Sequence, residues 1–254
     1  MKFKFNAVVA AAALIASAGA HAAVQTATAV PGNSSAVFVA WSQGAGVSLT
    51  VNLGVNLTDF LQSGASFSGA STPVGSLAYT GSPLTASWDL AGDARSVNGT
   101  AVSGSYSWSA ALSDFNTARG ANSYTWGVFA ADNVSGAVSA SNVLLNRNVL
   151  ATFNNLDASK IAGLSSAGTT STAAGNINNF LVGSTSGTLG GTNGAGTATA
   201  GAGYIGTTIR ESLGAYSGWN YLSALGASAP VFMVNQLGDP DVYQIGKTYG
   251  KNTI

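Results

Sequence analysis

Cysteine is absent from this chain of 254 residues, and its one histidine, His21, lies close to the N-terminus. Without cysteine no disulfide can staple the fold, although a chain of this length can bury a sufficient core. Histidine and cysteine supply the usual general bases, the common nucleophile pairs and most ligands of zinc, copper and haem. We therefore expect no cofactor and, if the segment carrying His21 is removed, no transition-metal site.

Charge is also scarce: Asp, Glu, Lys and Arg make up 7% of the chain, against about 25% in an ordinary soluble domain. Hydrophobic residues make up 46%, which is not the composition of a disordered protein. Nine Lys and Arg residues cannot build the basic surface that nucleic acids require. The composition predicts a folded core, a surface of Ser, Thr, Asn and Gly, and no nucleic-acid partner.

The N-terminus has the three parts of a secretory signal peptide. Lys2 and Lys4 form a short positive region, residues 7–18 (AVVAAAALIASA) are apolar, and residues 20–22 (AHA) place small residues where signal peptidase reads them. The apolar stretch is too short to span a bilayer as a helix, which needs about 20 residues. We therefore interpret residues 1–22 as a cleaved signal.

Processing defines the mature chain and its location. Cleavage between Ala22 and Ala23 leaves seven cations against nine acids, a net charge of about −2; cleavage after Ala20 is the alternative. No later segment has the length and apolarity of a membrane-spanning helix. We expect a protein that is secreted, extracellular or attached to the cell surface.

The first half of the chain is dominated by strand-like alternation. Residues 47–57 (VSLTVNLGVNL) place six apolar residues on one face and small or polar residues on the other, the pattern of a strand with one face on a core. Shorter alternating or strand-like runs lie at 37–41, 84–90, 105–109, 124–129 and 138–145. We also expect an Asn98-Gly99 turn between strands near Trp88 and Trp108, and a short helix over 113–119 capped by Ser113.

The texture changes after residue 150. Apolar residues at helical spacing predict short helices over 155–164, 176–182 and 205–213. Residues 183–203 contain eight glycines among 21 residues, which predicts a loop or linker. Two further strands are expected at 231–234 and 242–245.

These patterns predict a mainly β fold of antiparallel, sandwich-like sheets with a smaller helical, Gly-rich region, α+β overall. The expected organisation is a signal at 1–22, a β-rich domain at 23–150 and short helices at 151–230. Terminal strands at 231–254 are expected to pack on the β domain.

Aspartate pairs are the strongest candidates for a metal site. Asp89 with Asp93, and Asp239 with Asp241, could offer oxygen ligands to calcium, although Asp beside Gly or Pro more often marks a turn. Glu211 is the only glutamate, and no catalytic motif is recognisable. We assign no catalytic or cofactor-binding residue and expect no enzyme activity.

Five tryptophans offer a second kind of site, because an exposed indole can stack on a sugar ring. Most of them occur in strand-like runs, where a role in the core is the usual one. The five are Trp41, Trp88, Trp108, Trp126 and Trp219.

An Ala-rich signal, a charge-poor body rich in Ser, Thr, Asn and Gly, and alternating Trp and Tyr strands are together similar to exported bacterial surface proteins of the exosortase-sorted (PEP-CTERM-like) kind. The sorting tail of that family does not follow Val231 in this sequence. The resemblance implies either a released protein or a chain that has lost its tail.

Three functions remain open. The first is a non-catalytic secreted or cell-surface structural or adhesive protein, with itself or cell-envelope polysaccharide as partner. It is favoured by weak charge repulsion and by the lack of Lys and Glu between residues 23 and 160, since these residues protect exposed strand edges such as 47–57. The alternatives are an outer-membrane β-barrel and a secreted polysaccharide-binding protein or enzyme.

Overall fold

The fold was obtained as a computed structural model. It describes residues 2–8, 34–56, 83–97, 99–102, 108–132, 148–152, 167–184, 194–201, 203–206, 223–224, 228–236 and 243–253.

Strands form most of the described structure. They are β1 (Lys2–Val8), β2 (Ser35–Ser42), β3 (Val47–Asn56), β4 (Pro83–Asp89), β5 (Ala94–Val97), β6 (Thr100–Val102), β7 (Thr125–Asp132), β8 (Asn148–Thr152), β9 (Ala195–Ala198), β10 (Ser223–Ala224), β11 (Ser228–Gln236) and β12 (Tyr243–Thr253). The helices among these residues are α1 (Trp108–Arg119) and α2 (Ala167–Gly183). The prediction of a mainly β, α+β fold is confirmed.

The strands are joined in the order β6-β5-β4-β1-β12-β11-β8-β7-β2-β3-β9, and β10 pairs with β7. Every described pairing is antiparallel. β6 and β9 therefore lie at the two ends of this order.

The main core lies on one face of β2, β3 and β7. Phe38 is opposite Val51 on β3 and Val128 on β7, and all three are fully buried. Trp108 and Phe115 of α1 belong to the same core. Removing these large apolar side chains from water supplies the main driving force for folding here.

Trp88 and Leu90, at the end of β4, also pack in this core. The Trp88 Nε1–H donates to the Leu53 carbonyl of β3 over 2.7 Å. β4 is far from β3 in the strand order, so the order folds over to bring β4 and β5 onto β3, as expected for a sandwich-like arrangement.

The strand predicted at 47–57 is confirmed as β3, but both of its faces are buried. Val47, Leu49, Val51 and Leu53 enter the main core, while Ser48, Thr50 and Asn52 on the opposite face are at most 3% exposed. The segment around Ile205, whose N–H lies 3.5 Å from Ser48 Oγ, helps to cover this second face. Alternation here separates apolar from polar side chains rather than buried from exposed ones.

Strands predicted near 37–41, 84–90, 124–129, 231–234 and 242–245 are confirmed by β2, β4, β7, β11 and β12. The helix expected at 176–182 is the last part of α2, where Ile177, Phe180 and Leu181 are fully buried. α2 packs on β7 and β8. The strand predicted at 138–145, the helix at 155–164 and most of that at 205–213 lie outside the described residues.

Two local predictions around Trp108 are wrong. Trp108 and Ser109 open helix α1 instead of closing a strand at 105–109, and Ser113 lies inside the helix instead of capping it. The Asn98-Gly99 turn joins β5 to β6, with Val97 opposite Thr100, so its partners are not the strands near Trp88 and Trp108.

The Gly-rich tract also differs from its prediction as a loop. Its residues 195–198 form β9, which pairs with Ser48–Val51 of β3, and the Asn52 N–H donates to the Gly194 carbonyl. β9 therefore covers part of the edge of β3 that the sequence suggested was open. Small side chains permit this close approach of two backbones.

β1 was not foreseen as a strand. It lies between β4 and β12 and pairs with both. Its residues fall within the segment 1–22 that we interpret as a signal, and that interpretation stays a prediction.

Candidate functional site

The Asp89–Asp93 turn connects β4 to β5 and contains the first calcium candidate pair. Asp89 Oδ1 accepts a hydrogen bond from the Gly92 N–H over 3.1 Å, which closes the turn. Asp93 has a φ of +49°, a left-handed conformation that Asp and Asn tolerate better than most residues. The backbone thus points the two carboxylates at separate tasks.

Asp93 caps helix α1 from a different element. Its Oδ1 accepts from the Ser109 N–H over 2.8 Å, and its Oδ2 accepts from the Ser109 hydroxyl over 2.5 Å. A carboxylate at this place satisfies free N–H groups and complements the helix dipole. Both oxygens that calcium would use therefore have structural partners. Among the described residues, no group of three His, Cys, Asp or Glu is placed to hold a metal ion.

Arg95 fixes β5 against the end of β3. It is 7% exposed, and its Nη1 donates to the Leu53 carbonyl over 3.1 Å and to the Gly54 carbonyl over 2.6 Å. Gly54 has a φ of +65°, and a Cβ there would collide with Arg95 Nη1. We call the contacts of Trp88 and Arg95 with Leu53 and Gly54 the polar clamp.

The tryptophans that the structure describes belong to the interior. Trp88, Trp108 and Trp126 are at most 1% exposed, and Trp41 is 7% exposed. The Trp41 Nε1–H donates to the Tyr204 hydroxyl over 3.0 Å. These four rings serve the core, as the strand pattern favoured, and none presents an open face to a sugar.

A shallow groove runs along the exposed side of α1. Its volume is about 480 Å³, and it is lined by Ala91, Ser109, Leu112, Ser113, Asn116 and Thr117. Hydroxyl and amide groups can exchange hydrogen bonds with a polar ligand. The lining contains no ionisable side chain and no aromatic ring, so it offers neither acid–base chemistry nor a stacking surface.

The C-terminal end of α1 meets β7 through Tyr124. The Tyr124 ring lies edge-on to Phe115 with centroids 5.4 Å apart, and the Arg119 guanidinium lies 5.0 Å above the Tyr124 ring centre. Burial raises the pKa of Tyr124 above its usual value, and the positive charge of Arg119 partly opposes that rise. Gly120, at φ +55°, ends the helix in the conformation typical of a C-terminal cap.

The remaining sequence candidates are not part of the described structure: Asp239, Asp241, Trp219, Ala22 and Ala23. Sequence reasoning missed the polar clamp and the role of Asp93 as a cap. Asp93 lies 16 residues before its partner Ser109, so no local capping pattern could reveal it.

No family model, curated protein or solved structure matches this chain. Within the described residues, neither helix has the length and apolarity needed to cross a membrane.

Proposed function

We propose that this chain is exported and acts as a non-catalytic structural or adhesive protein of the cell surface that associates with copies of itself. The observation that carries the proposal is the use of ionic side chains around β4 and β5. Asp89 closes a turn, Asp93 caps α1 and Arg95 bonds β3. Groups that could have performed chemistry or bound calcium hold the fold together instead.

Self-association is supported by the weakness of what would oppose it. A mature net charge of about −2 provides little repulsion between copies. The end strands β6 (TAV) and β9 (AGTA) carry no charge or proline, although their shortness limits edge pairing.

Polysaccharide binding is the second candidate, and the groove along α1 is the observation that favours it. Its hydroxyl and amide groups are suited to a neutral polar ligand. Envelope polysaccharide is then the partner, and the groove rather than a tryptophan is its contact surface.

Export and association can be tested on protein produced in a secreting bacterial host. We expect N-terminal sequencing to give Ala23 as the first residue. At micromolar concentration and near-neutral pH, sedimentation should show higher-order species that persist at high salt, since charge attraction does not hold them. A chain that still begins at Met1 would contradict export.

The same preparation separates the alternatives. A stable monomer retained by insoluble polysaccharide, and released when Asn116→Ala and Thr117→Ala alter the groove, would favour the binding function. A protein that fractionates with the outer membrane and needs detergent would favour the membrane alternative.

A further inference from the structure

β1 holds an internal place in the strand order. Its residues Lys2–Val8 pair with Pro83–Asp89 of β4, and Lys2–Asn6 pair with Tyr249–Thr253 of β12. All of β1 lies before the cleavage site between Ala22 and Ala23. Processing at that site therefore deletes a strand that has neighbours on both sides.

We propose that processing converts the place of β1 into a pairing site for a second copy of this chain, with the new N-terminal segment, residues 23–30, as the inserted strand. The proposal rests on the export and self-association proposed above. It adds the surface, the partner segment and the strand register.

Loss of β1 exposes backbone groups on two neighbours. β12 keeps its pairing with β11, and β4 keeps its pairing with β5, but the sides that faced β1 lose their hydrogen-bond partners. Such edges accept an added extended strand readily, with backbone hydrogen bonds providing the affinity. The two edges are longer than β6 or β9, which have three and four residues.

The register shows that β1 is not an ideal occupant. Lys4 stands directly opposite Lys251 of β12, and like charges in opposed antiparallel positions destabilise a pair. A strand without a cation at this position removes the repulsion. Processing discards Lys4 while Lys251 remains.

Residues 23–30 (AVQTATAV) have the features of a replacement strand. They carry no charge, and β-branched Val24, Thr26, Thr28 and Val30 alternate with Ala and Gln, a pattern that favours a strand. Laid on the register of β1, Val24 replaces Phe3 opposite Asn252, and Gln25 replaces Lys4 opposite Lys251. The eight residues match the seven of β1 in length.

Chain connectivity favours a second copy over the same copy as donor. β2 begins at Ser35 and is separated from β1 by β12, β11, β8 and β7. Five strand spacings amount to about 24 Å along the sheet. The five Cα–Cα steps from Val30 to Ser35 reach at most about 19 Å. A donor from another molecule has no such restriction.

The natural lack of cysteine permits a direct test by disulfide trapping. One processed variant carries Val24→Cys and another carries Asn252→Cys. After mixing and mild oxidation, we expect a covalent dimer on a non-reducing gel, because the proposed register opposes the two positions. The full chain with β1 retained is the comparison and should give little dimer.

A second pair of variants tests the strand itself. Thr26→Pro removes a backbone N–H and should lower the sedimenting fraction by more than about tenfold, while Thr26→Val keeps a β-branched residue and should preserve it. Circular dichroism of the two processed proteins checks that both remain folded.

The outcomes separate this inference from the function on which it rests. Cross-linking between copies, with association lost in Thr26→Pro, supports the inference. Association that persists in Thr26→Pro without cross-linking overturns the inference and leaves the proposed function standing. A monomer in which Val24→Cys and Asn252→Cys, combined in one chain, form an internal disulfide also overturns it. A chain that still begins at Met1 removes the proposed function.

Discussion

The central strands and the β4–β5 arm are held by different forces. β2, β3 and β7 are buried on both faces, and nearly all their described side chains are below 9% exposure. The β4–β5 arm (Pro83–Val97) includes exposed and half-buried residues such as Ala91, Gly92 and Ala94. Apolar packing stabilises the first region, whereas Trp88, Leu90 and the polar clamp attach the second.

This difference teaches how a charge-poor chain spends its few ions. The central strands need none, because their stability scales with buried apolar area. The arm crosses from one part of the strand order to another, and there a buried guanidinium satisfies two carbonyls at once. Hydrogen bonds to a charged donor are stronger than neutral ones, so one Arg95 fixes the arm in a definite position.

The largest expected effect tests the central strands. Phe38→Ala should lower the free energy of unfolding by about 3–5 kcal/mol, because it removes a fully buried ring and leaves a cavity. Urea unfolding of both proteins measures the change. Val182→Ala is the control: Val182 is 42% exposed, and its change should stay within about 0.5 kcal/mol. Equal effects would contradict the assignment of the core.

The next effect tests the polar clamp with a matched glycine pair. Gly54 and Gly99 both have positive φ, but only at Gly54 would a Cβ meet another residue, Arg95. Gly54→Ala should cost about 2–4 kcal/mol, from backbone strain plus displacement of Arg95. Gly99→Ala should cost about 1 kcal/mol from strain alone.

Urea unfolding of the two glycine variants separates the strain from the clash. If Gly54→Ala costs no more than Gly99→Ala, Arg95 does not lie where the structure places it. Arg95→Met combined with Gly54→Ala should recover part of the difference, because the longer aliphatic side chain lacks the hydrogen bonds that fix Arg95 in position.

The two regions also differ in how far the sequence predicts them. Period-2 alternation predicts β2, β3 and β7 because each strand sorts its side chains by face. The polar clamp joins residues about 40 positions apart, and nothing local in either segment reports the other. α1 lies between these cases: Trp108, Ala111 and Phe115 are buried at i, i+3 and i+7, a helical signal that the alternating Ser-Trp-Ser run concealed.

The candidate site was predicted less well than the fold. Asp89 and Asp93 were identified from their spacing, but their work as a turn bond and a helix cap depends on the position of α1. Local sequence cannot supply that position, because the cap acts across a chain reversal. The tryptophans illustrate the opposite case, since their place in apolar patterns already favoured the core.

A moderate effect tests the attachment of α1 to the arm. Asp93→Ala should cost about 1–2 kcal/mol, because it removes the cap at Ser109. Asp93→Asn keeps an acceptor and tolerates positive φ, so it should cost less. Thermal unfolding measures both. Adding calcium or EDTA should leave the melting temperature of the wild type unchanged, and a rise with calcium would revive the Asp89/Asp93 metal site.

The smallest effect concerns Tyr124, where α1 meets the central strands. Burial raises the pKa of its folded-state hydroxyl above 10.0, so the unfolded chain loses this proton first as the solution becomes alkaline. The stability linked to Tyr124 is therefore complete below the unfolded pKa and is lost as pH rises through the folded one. Tyr124→Phe should unfold less steeply above about pH 10. Arg119→Gln removes the charge that opposes the shift, so tyrosinate absorbance should show Tyr124 titrating at still higher pH. An unchanged titration in Arg119→Gln would show that the guanidinium does not act on Tyr124, and that α1 and β7 meet there through the Phe115 ring alone.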